Sequence, residues 1–358
     1  MTYEKYEDRV RAQKQSGEQC MNRYSPYCDL IYYSSSIHPG LKLAMRVLKP
    51  RKPSRICVTT HGWHMSILPF TYMDTPHEEG DYLIIEVDMR GRAFSDGEPD
   101  CNGWELLDVI DAVHYVRKHY ADCIIDPEVV YFEGGSGGGG NAYAIVAKFP
   151  DFFAAATAMC GITDYQLWYE QDEIGEFRDE LDVWIGFPPQ TNTAAYRSRS
   201  GLALAGNVLT PLFIAHGETD IRVPAVHARL YMERVRELGF SSRVSYLELE
   251  GVGTREHWGN ATEEQMQQMK ELSEQNRRKY DVPIEIPVSG VFTVAGYLIT
   301  KEFSVVLDSL DKLAQVTYDL QKNEFKVTGE HVEGYTIDRH DRNQLTDGGA
   351  QHVNQTLF

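Results

Sequence analysis

Gly134-Gly135-Ser136-Gly137-Gly138 follows the apolar run Val129-Val130-Tyr131-Phe132 and precedes Asn141-Ala142-Tyr143-Ala144-Ile145-Val146-Ala147-Lys148, which suits a helix. A serine between a strand and a helix sits on a strained, crowded turn, and glycines on both sides remove the Cβ clash. Such a turn lifts the hydroxyl above the sheet edge. It also puts the next backbone N–H at a helix N-terminus, where developing negative charge is favoured. The stretch predicts a nucleophilic serine at 136. A phosphate-cradling loop is the rival reading of Gly137 to Gly140, but no Lys-Ser or Lys-Thr follows and the spacing is wrong.

Outward from that turn, apolar runs alternate with helical patterns. Ile56-Cys57-Val58-Thr59-Thr60, Tyr82-Leu83-Ile84-Ile85-Glu86-Val87, Ala154 to Cys160, Leu212-Phe213-Ile214-Ala215-His216 and Arg243 to Leu249 read as strands. Trp104 to Tyr120 has helical periodicity. Strands alternating with helices predict an α/β fold, a mostly parallel sheet flanked by helices on both faces. Residues 28–49 read as further strands, and 4–16 as a polar helix.

Between about 162 and 208 the rhythm breaks in a stretch carrying Tyr165, Trp168, Tyr169, Phe177, Trp184 and Phe187. It is too long for a plain loop and reads as a small helical insertion over the active-site edge. After residue 281 the texture becomes β-rich, with runs at 284–299, 303–307, 313–318 and 324–327. The chain thus divides into 1–280, carrying the insertion, and an accessory region, 281–358. At that size the accessory region reads as a packing or homodimer element.

The net charge of −18 excludes nucleic acid or an anionic membrane surface as a main partner. No CxxC pair occurs among the six cysteines, so a zinc or redox motif is not expected. Cys20 and Cys28 could pair in an oxidising compartment. The charged N-terminus has no apolar h-region, and a cytoplasmic location is the expectation.

A serine attacks poorly until a base takes its proton, and a histidine base needs a carboxylate to hold its tautomer. Two loops after strands supply them. His216-Gly217-Glu218-Thr219-Asp220 offers Asp220, with Glu218 as its rival. Gly251-Val252-Gly253-Thr254-Arg255-Glu256-His257-Trp258 offers His257, the only histidine beyond the last strand and after the acid in this set. His61 and His216 precede glycines at strand ends and read as structural. Asp88, Asp96 and Asp100 read as loop residues that satisfy local N–H groups.

The order Ser136, Asp220, His257 and its motifs resemble an α/β-hydrolase, most similar to the prolyl-oligopeptidase-like branch. His216-Gly217-x-x-Asp220-x-x-Val223-Pro224 resembles that family's acid loop. Asp88-Met89-Arg90-Gly91-Arg92-Ala93-Phe94-Ser95 resembles its Asp-x-Arg-Gly-x-Gly-x-Ser segment, with Ala93 at the second glycine. His61-Gly62 resembles its oxyanion loop. The resemblance covers about residues 40–275. It implies acyl transfer by Ser136, His257 and Asp220, with the acid at 220 rather than 218. The oxyanion would be held by the N–H groups of Gly137 and Trp63. No metal or organic cofactor is implied.

The expected substrate is a carboxylic ester of a small or carbohydrate-derived compound, because too few residues precede the core for the propeller that many such peptidases carry. A serine peptidase is the alternative, and an inactive scaffold the reading of another class. His64, Tyr165, Trp168 and Trp258 are expected to line the pocket. The acidic insertion, with Glu170, Asp172, Glu173, Glu176, Asp179, Glu180 and Asp182, reads as a solvated face, or else as a site for a peptide N-terminal amine.

Overall fold

Nine strands form the larger sheet of the computed structural model, which describes residues 22–77, 81–172 and 175–340. The expected helix at 4–16 and the cysteine at 20 lie outside the described residues, so the Cys20–Cys28 pairing does too. The strands are β1 (Arg23–Tyr24), β2 (Cys28–Ser34), β3 (Lys42–Leu48), β4 (Arg55–Thr60), β5 (Tyr82–Asp88), β6 (Val130–Gly135), β7 (Ala155–Met159), β8 (Leu212–Gly217) and β9 (Val244–Leu249). Their spatial order is β1-β2-β3-β5-β4-β6-β7-β8-β9. The first three join antiparallel, and β5 through β9 run parallel. β8 is buried throughout and β4 nearly so, as a parallel sheet covered on both faces requires.

The helices of this unit are α1 (Glu105–His119), α2 (Gly137–Lys148), α3 (Tyr165–Gln171), α4 (Arg178–Ile185), α5 (Thr193–Arg199), α6 (Val226–Glu237) and α7 (Glu263–Lys279). The start of α1 is set by Asp100, whose carboxylate accepts the N–H groups of Trp104 (2.6 Å) and Glu105 (3.2 Å). Val109, Val113 and Val116 of α1 pack into the central core with Val58, Ile85 and Phe132 of the sheet. The helix α2 is buried along its whole length. Its close seat requires a glycine at 139, where the helix meets the backbone after β7. A Cβ at Gly139 would lie 2.6 Å from the Met159 carbonyl oxygen and 2.7 Å from the Gly161 Cα.

The insertion consists of α3, α4, α5 and a 3-10 turn, Gly201–Asn207. Its own core joins Tyr165, Trp168, Phe177, Leu181, Trp184 and Tyr196 to Trp63 of the main body. Among the described residues no helix is long and apolar enough to cross a membrane.

A second, fully antiparallel sheet follows: β10 (Ser289–Ala295), β11 (Tyr297–Ile299), β12 (Phe303–Leu307), β13 (Leu313–Asp319), β14 (Glu324–Thr328) and β15 (Tyr335–Arg339), in the order β14-β13-β10-β11-β12-β15. The run expected over 284–299 starts later and is broken at Gly296, whose φ of +70° only glycine adopts freely. The strand β15 is not expected from the sequence, because Asp338 and Arg339 cut short the strand pattern of Tyr335-Thr336-Ile337. This sheet grips the larger unit. Lys148 Nζ donates to the Ala295 carbonyl (2.8 Å), Tyr297 Oη to the Gly103 carbonyl (2.8 Å), and Trp104 stacks on Tyr297.

Candidate active site

Four loops converge at the C-terminal ends of β4, β6, β8 and β9. Parallel strands deliver their following loops to one edge, which is where open α/β sheets build sites. Ser136 occupies the β6–α2 turn with φ 56° and ψ −118°, a strained conformation for a residue with a side chain. The turn is pinned by Ser136 N–H to the Met159 carbonyl (2.8 Å) and Gly140 N–H to the Ser136 carbonyl (3.0 Å). As the first residue of α2, Gly137 has no intrahelical acceptor for its N–H.

On the neighbouring strand, β4 leads into His61-Gly62-Trp63. A Cβ at Gly137 would stand 2.5 Å from the Trp63 backbone nitrogen, so the two expected oxyanion donors lie on adjoining backbone. His61 holds this loop in shape. Its Nδ1–H donates to the Gly62 carbonyl (2.9 Å), and its Nε2 accepts from Met89 N–H (3.1 Å). Burial, with help from the Arg92 charge, pushes the His61 imidazole down to about 3 and keeps it neutral.

The structure brings Asp220 and His257 together. His257 Nδ1–H donates to Asp220 Oδ2 at 2.5 Å. Asp220 Oδ1 accepts from the N–H groups of Arg222 (2.9 Å) and Val223 (3.1 Å). Burial alone would raise the Asp220 carboxyl, but the His257 hydrogen bond and charge together with the Val223 N–H hold it below the usual carboxylate range. The rival, Glu218, is exposed and accepts from Gly251 N–H (2.9 Å) instead. With Nδ1 engaged, Nε2 is the ring nitrogen of His257 left for proton transfer. Ser136 is tied to β7 through Met159, and the next residue, Cys160, has its thiol beside Asp220.

Cys160, His216 and Asp220 bring potential ligand atoms within 4.8 Å of one another. The protein already engages two of them. His216 Nε2–H donates to the Val223 carbonyl (2.7 Å), and Asp220 serves His257. His216 thus ties the strand end to the loop that carries Asp220.

The expected pocket residues are placed differently from one another. Tyr165 and Trp168 are enclosed in the insertion core, which does not fit lining a pocket. The Tyr165 hydroxyl accepts from Asn102 Nδ2 (3.1 Å), and the Trp168 indole donates to the Arg222 carbonyl (2.7 Å). His64 is also buried, stacked on Phe177, with Nδ1 2.9 Å from Glu180 Oε1. Trp258 is half-buried against Phe213, Ala215 and Met269.

The acidic insertion is not simply a solvated face. Asp172 caps the turn into α4 by accepting the N–H groups of Glu176, Phe177 and Arg178. Glu176 pairs with Arg222. Glu180 is buried and accepts from both Trp63 Nε1 (2.6 Å) and His64 Nδ1 (2.9 Å). Sequence reasoning missed these roles because a helical carboxylate looks the same in sequence whether it faces water or a partner 117 residues away.

Residues 78–276 match the model of the prolyl oligopeptidase family. Esterase LipQ of Mycobacterium tuberculosis is 26% identical over 155 residues, 40% of this chain and 37% of that protein. The uncharacterized peptidase YuxL of Bacillus subtilis is 32% identical over 169 residues, 46% of this chain and 25% of that protein. The chain therefore spans well under two thirds of either relative. The acylaminoacyl peptidase of Pyrococcus horikoshii superposes with a TM-score of 0.58 at 20% identity, covering 73% of this chain and 43% of the other. That likeness concerns the α/β-hydrolase fold, a mostly parallel sheet with its serine turn at the strand ends. With a family match running through more than half its length, the chain belongs to the prolyl oligopeptidase family.

Proposed function

We propose that this protein is a serine hydrolase that cleaves a carboxylic ester through an acyl-enzyme. The observation that carries the reading is the 2.5 Å Asp220–His257 contact, held at the same sheet edge as a serine in a strained strand-to-helix turn. Ser136 Oγ attacks the ester carbonyl carbon while His257 Nε2 takes the hydroxyl proton. Asp220 holds the imidazole tautomer and stabilises the imidazolium. The N–H groups of Gly137 and Trp63 receive the charge that develops on the carbonyl oxygen. Collapse breaks the bond to the alcohol, which leaves with the proton from His257, and water repeats the sequence to free the acid.

The preference for an ester rests on the insertion. A peptidase trimming from the N-terminus needs a carboxylate to hold the substrate's amine. Glu176 and Glu180, which lie beside His64 of the proposed oxyanion loop, are engaged by Arg222, Trp63 and His64. Peptidase action is the second reading, favoured by the 32% identity to a relative named a peptidase.

The test is labelling by a fluorophosphonate probe at neutral pH, followed by parallel screens of short p-nitrophenyl esters and aminoacyl-nitroanilides. The expected outcome is labelling that Ser136→Ala abolishes, with turnover of the esters. Folded protein that takes no label would end the hydrolase reading. Turnover of anilides with inert esters would replace the esterase by the peptidase.

A further inference from the structure

Trp63 is held from every side, and the residues that hold it come mostly from the insertion. Its indole Nε1–H donates to Glu180 Oε2 at 2.6 Å, and its carbonyl accepts from Arg92 Nη2 at 2.8 Å. Its ring packs against Trp184 (4.4 Å between centroids), Trp168 (5.0 Å, edge-on) and Tyr165 (5.7 Å). Arg92 in turn lies over the Trp184 ring at 4.2 Å. The other Glu180 oxygen accepts from His64, the next residue of the same loop. A carboxylate buried this deeply is costly unless strong donors face it, and here two ring N–H groups do.

This arrangement acts on a backbone atom. The Gly62 carbonyl accepts from His61 Nδ1–H and from Met65 N–H. In a trans peptide the carbonyl and the following N–H point opposite ways, so fixing one directs the other. Gly62 gives the loop little stiffness of its own. The Trp63 nitrogen lies against Gly137, where a Cβ would stand 2.5 Å from it, and reorienting that peptide would drag the indole out of its cage and break the bond to Glu180.

We infer that Glu180 is a positioning residue for catalysis, a carboxylate on α4 that fixes the Trp63 half of the oxyanion hole through the indole and so makes the insertion part of the hole's scaffold. The inference rests on the acyl-transfer reading proposed above. A preorganised donor stabilises the transition state more than the bound substrate. Loosening it therefore lowers kcat and leaves KM nearly alone.

The experiment uses the full chain and four proteins: wild type, Glu180→Met, Glu180→Gln and Trp63→Phe. The readouts are kcat and KM on p-nitrophenyl acetate, the fluorophosphonate labelling rate and the thermal midpoint. Glu180→Met, which removes both acceptors, is expected to lower kcat and the labelling rate about tenfold, with KM moving by less than about twofold. Glu180→Gln keeps an acceptor for the indole and is expected to retain most of kcat. Should Glu180→Met fail to fold, Trp63→Phe deletes the same hydrogen bond from the other side and carries the same expectation. Folded Glu180→Met or Trp63→Phe with wild-type kcat, or with a loss confined to KM or to the thermal midpoint, overturns the inference. A wild type that neither labels nor turns over ester overturns the underlying reading, and that arm is read before any variant.

Discussion

Asp220 accepts a 2.5 Å hydrogen bond from His257 Nδ1 while its other oxygen is held by two backbone N–H groups of its own loop. The carboxylate is therefore held at both oxygens, and it favours the His257 tautomer with the proton on Nδ1. Asp220→Asn presents an amide where an acceptor must stand and favours the wrong tautomer. It is expected to lower kcat by about 10³–10⁴ with the fold intact. Glu218→Gln, altering the exposed rival that bonds Gly251, is expected to leave kcat within about twofold, as surface changes away from the chemistry do. Steady-state kinetics of both variants decide the assignment, and equal losses would refute it.

Gly137 admits no side chain. A Cβ there would lie 2.5 Å from the Trp63 nitrogen and 2.7 Å from its Cα, both backbone atoms that cannot swing aside. Gly137→Ala is expected to push the two proposed oxyanion donors apart and to cost at least about a hundredfold in kcat, the usual loss for one misplaced donor. Kinetics together with circular dichroism check this. Full activity in the variant would place the hole elsewhere.

Lys148 is fully buried beneath the second sheet, its ammonium donating to the Ala295 carbonyl and lying 4.5 Å over the Tyr297 ring. Burial, reinforced by the Arg199 charge, pushes it down to about 7. The unfolded chain binds that proton up to the ordinary lysine range, about 10.4. Between the two values the unfolded state holds more protons, so this group makes stability rise with pH. Lys148→Met removes the dependence. Melting curves are expected to show the variant gaining most on wild type near pH 6.5 and losing that relative gain by pH 10. A constant difference across the range would contradict the assignment.

The second sheet is bonded into the larger unit through Lys148, Tyr297, Asn207–Thr293 and Arg199–Asp311, so its removal exposes buried surface. A chain ending at residue 280 is expected to melt about 10 °C or more below the full chain and to aggregate, given the loss of several buried apolar side chains. Differential scanning fluorimetry and light scattering measure it. An unchanged midpoint in a monodisperse sample would favour a role for the sheet outside packing.

Much of this protein was written in local pattern. Apolar runs alternating with helical segments dictate a parallel sheet, because strands covered on both faces must be apolar throughout. The glycines around Ser136, and Asp220 and His257 after later strands, made a candidate serine, acid and base readable as types in an order. Only the packed structure decided which neighbours those residues have. Tyr165 and Trp168 show aromatic character in sequence, but whether a ring faces a pocket or a core depends on what packs over it. Glu180 looks like one more helical acid until Trp63 is brought to it from 117 residues away. Local sequence sets backbone preference and hydrophobic period. Burial, hydrogen-bond partners and charge environment arise between segments distant in the chain, and they exist only once the chain is folded.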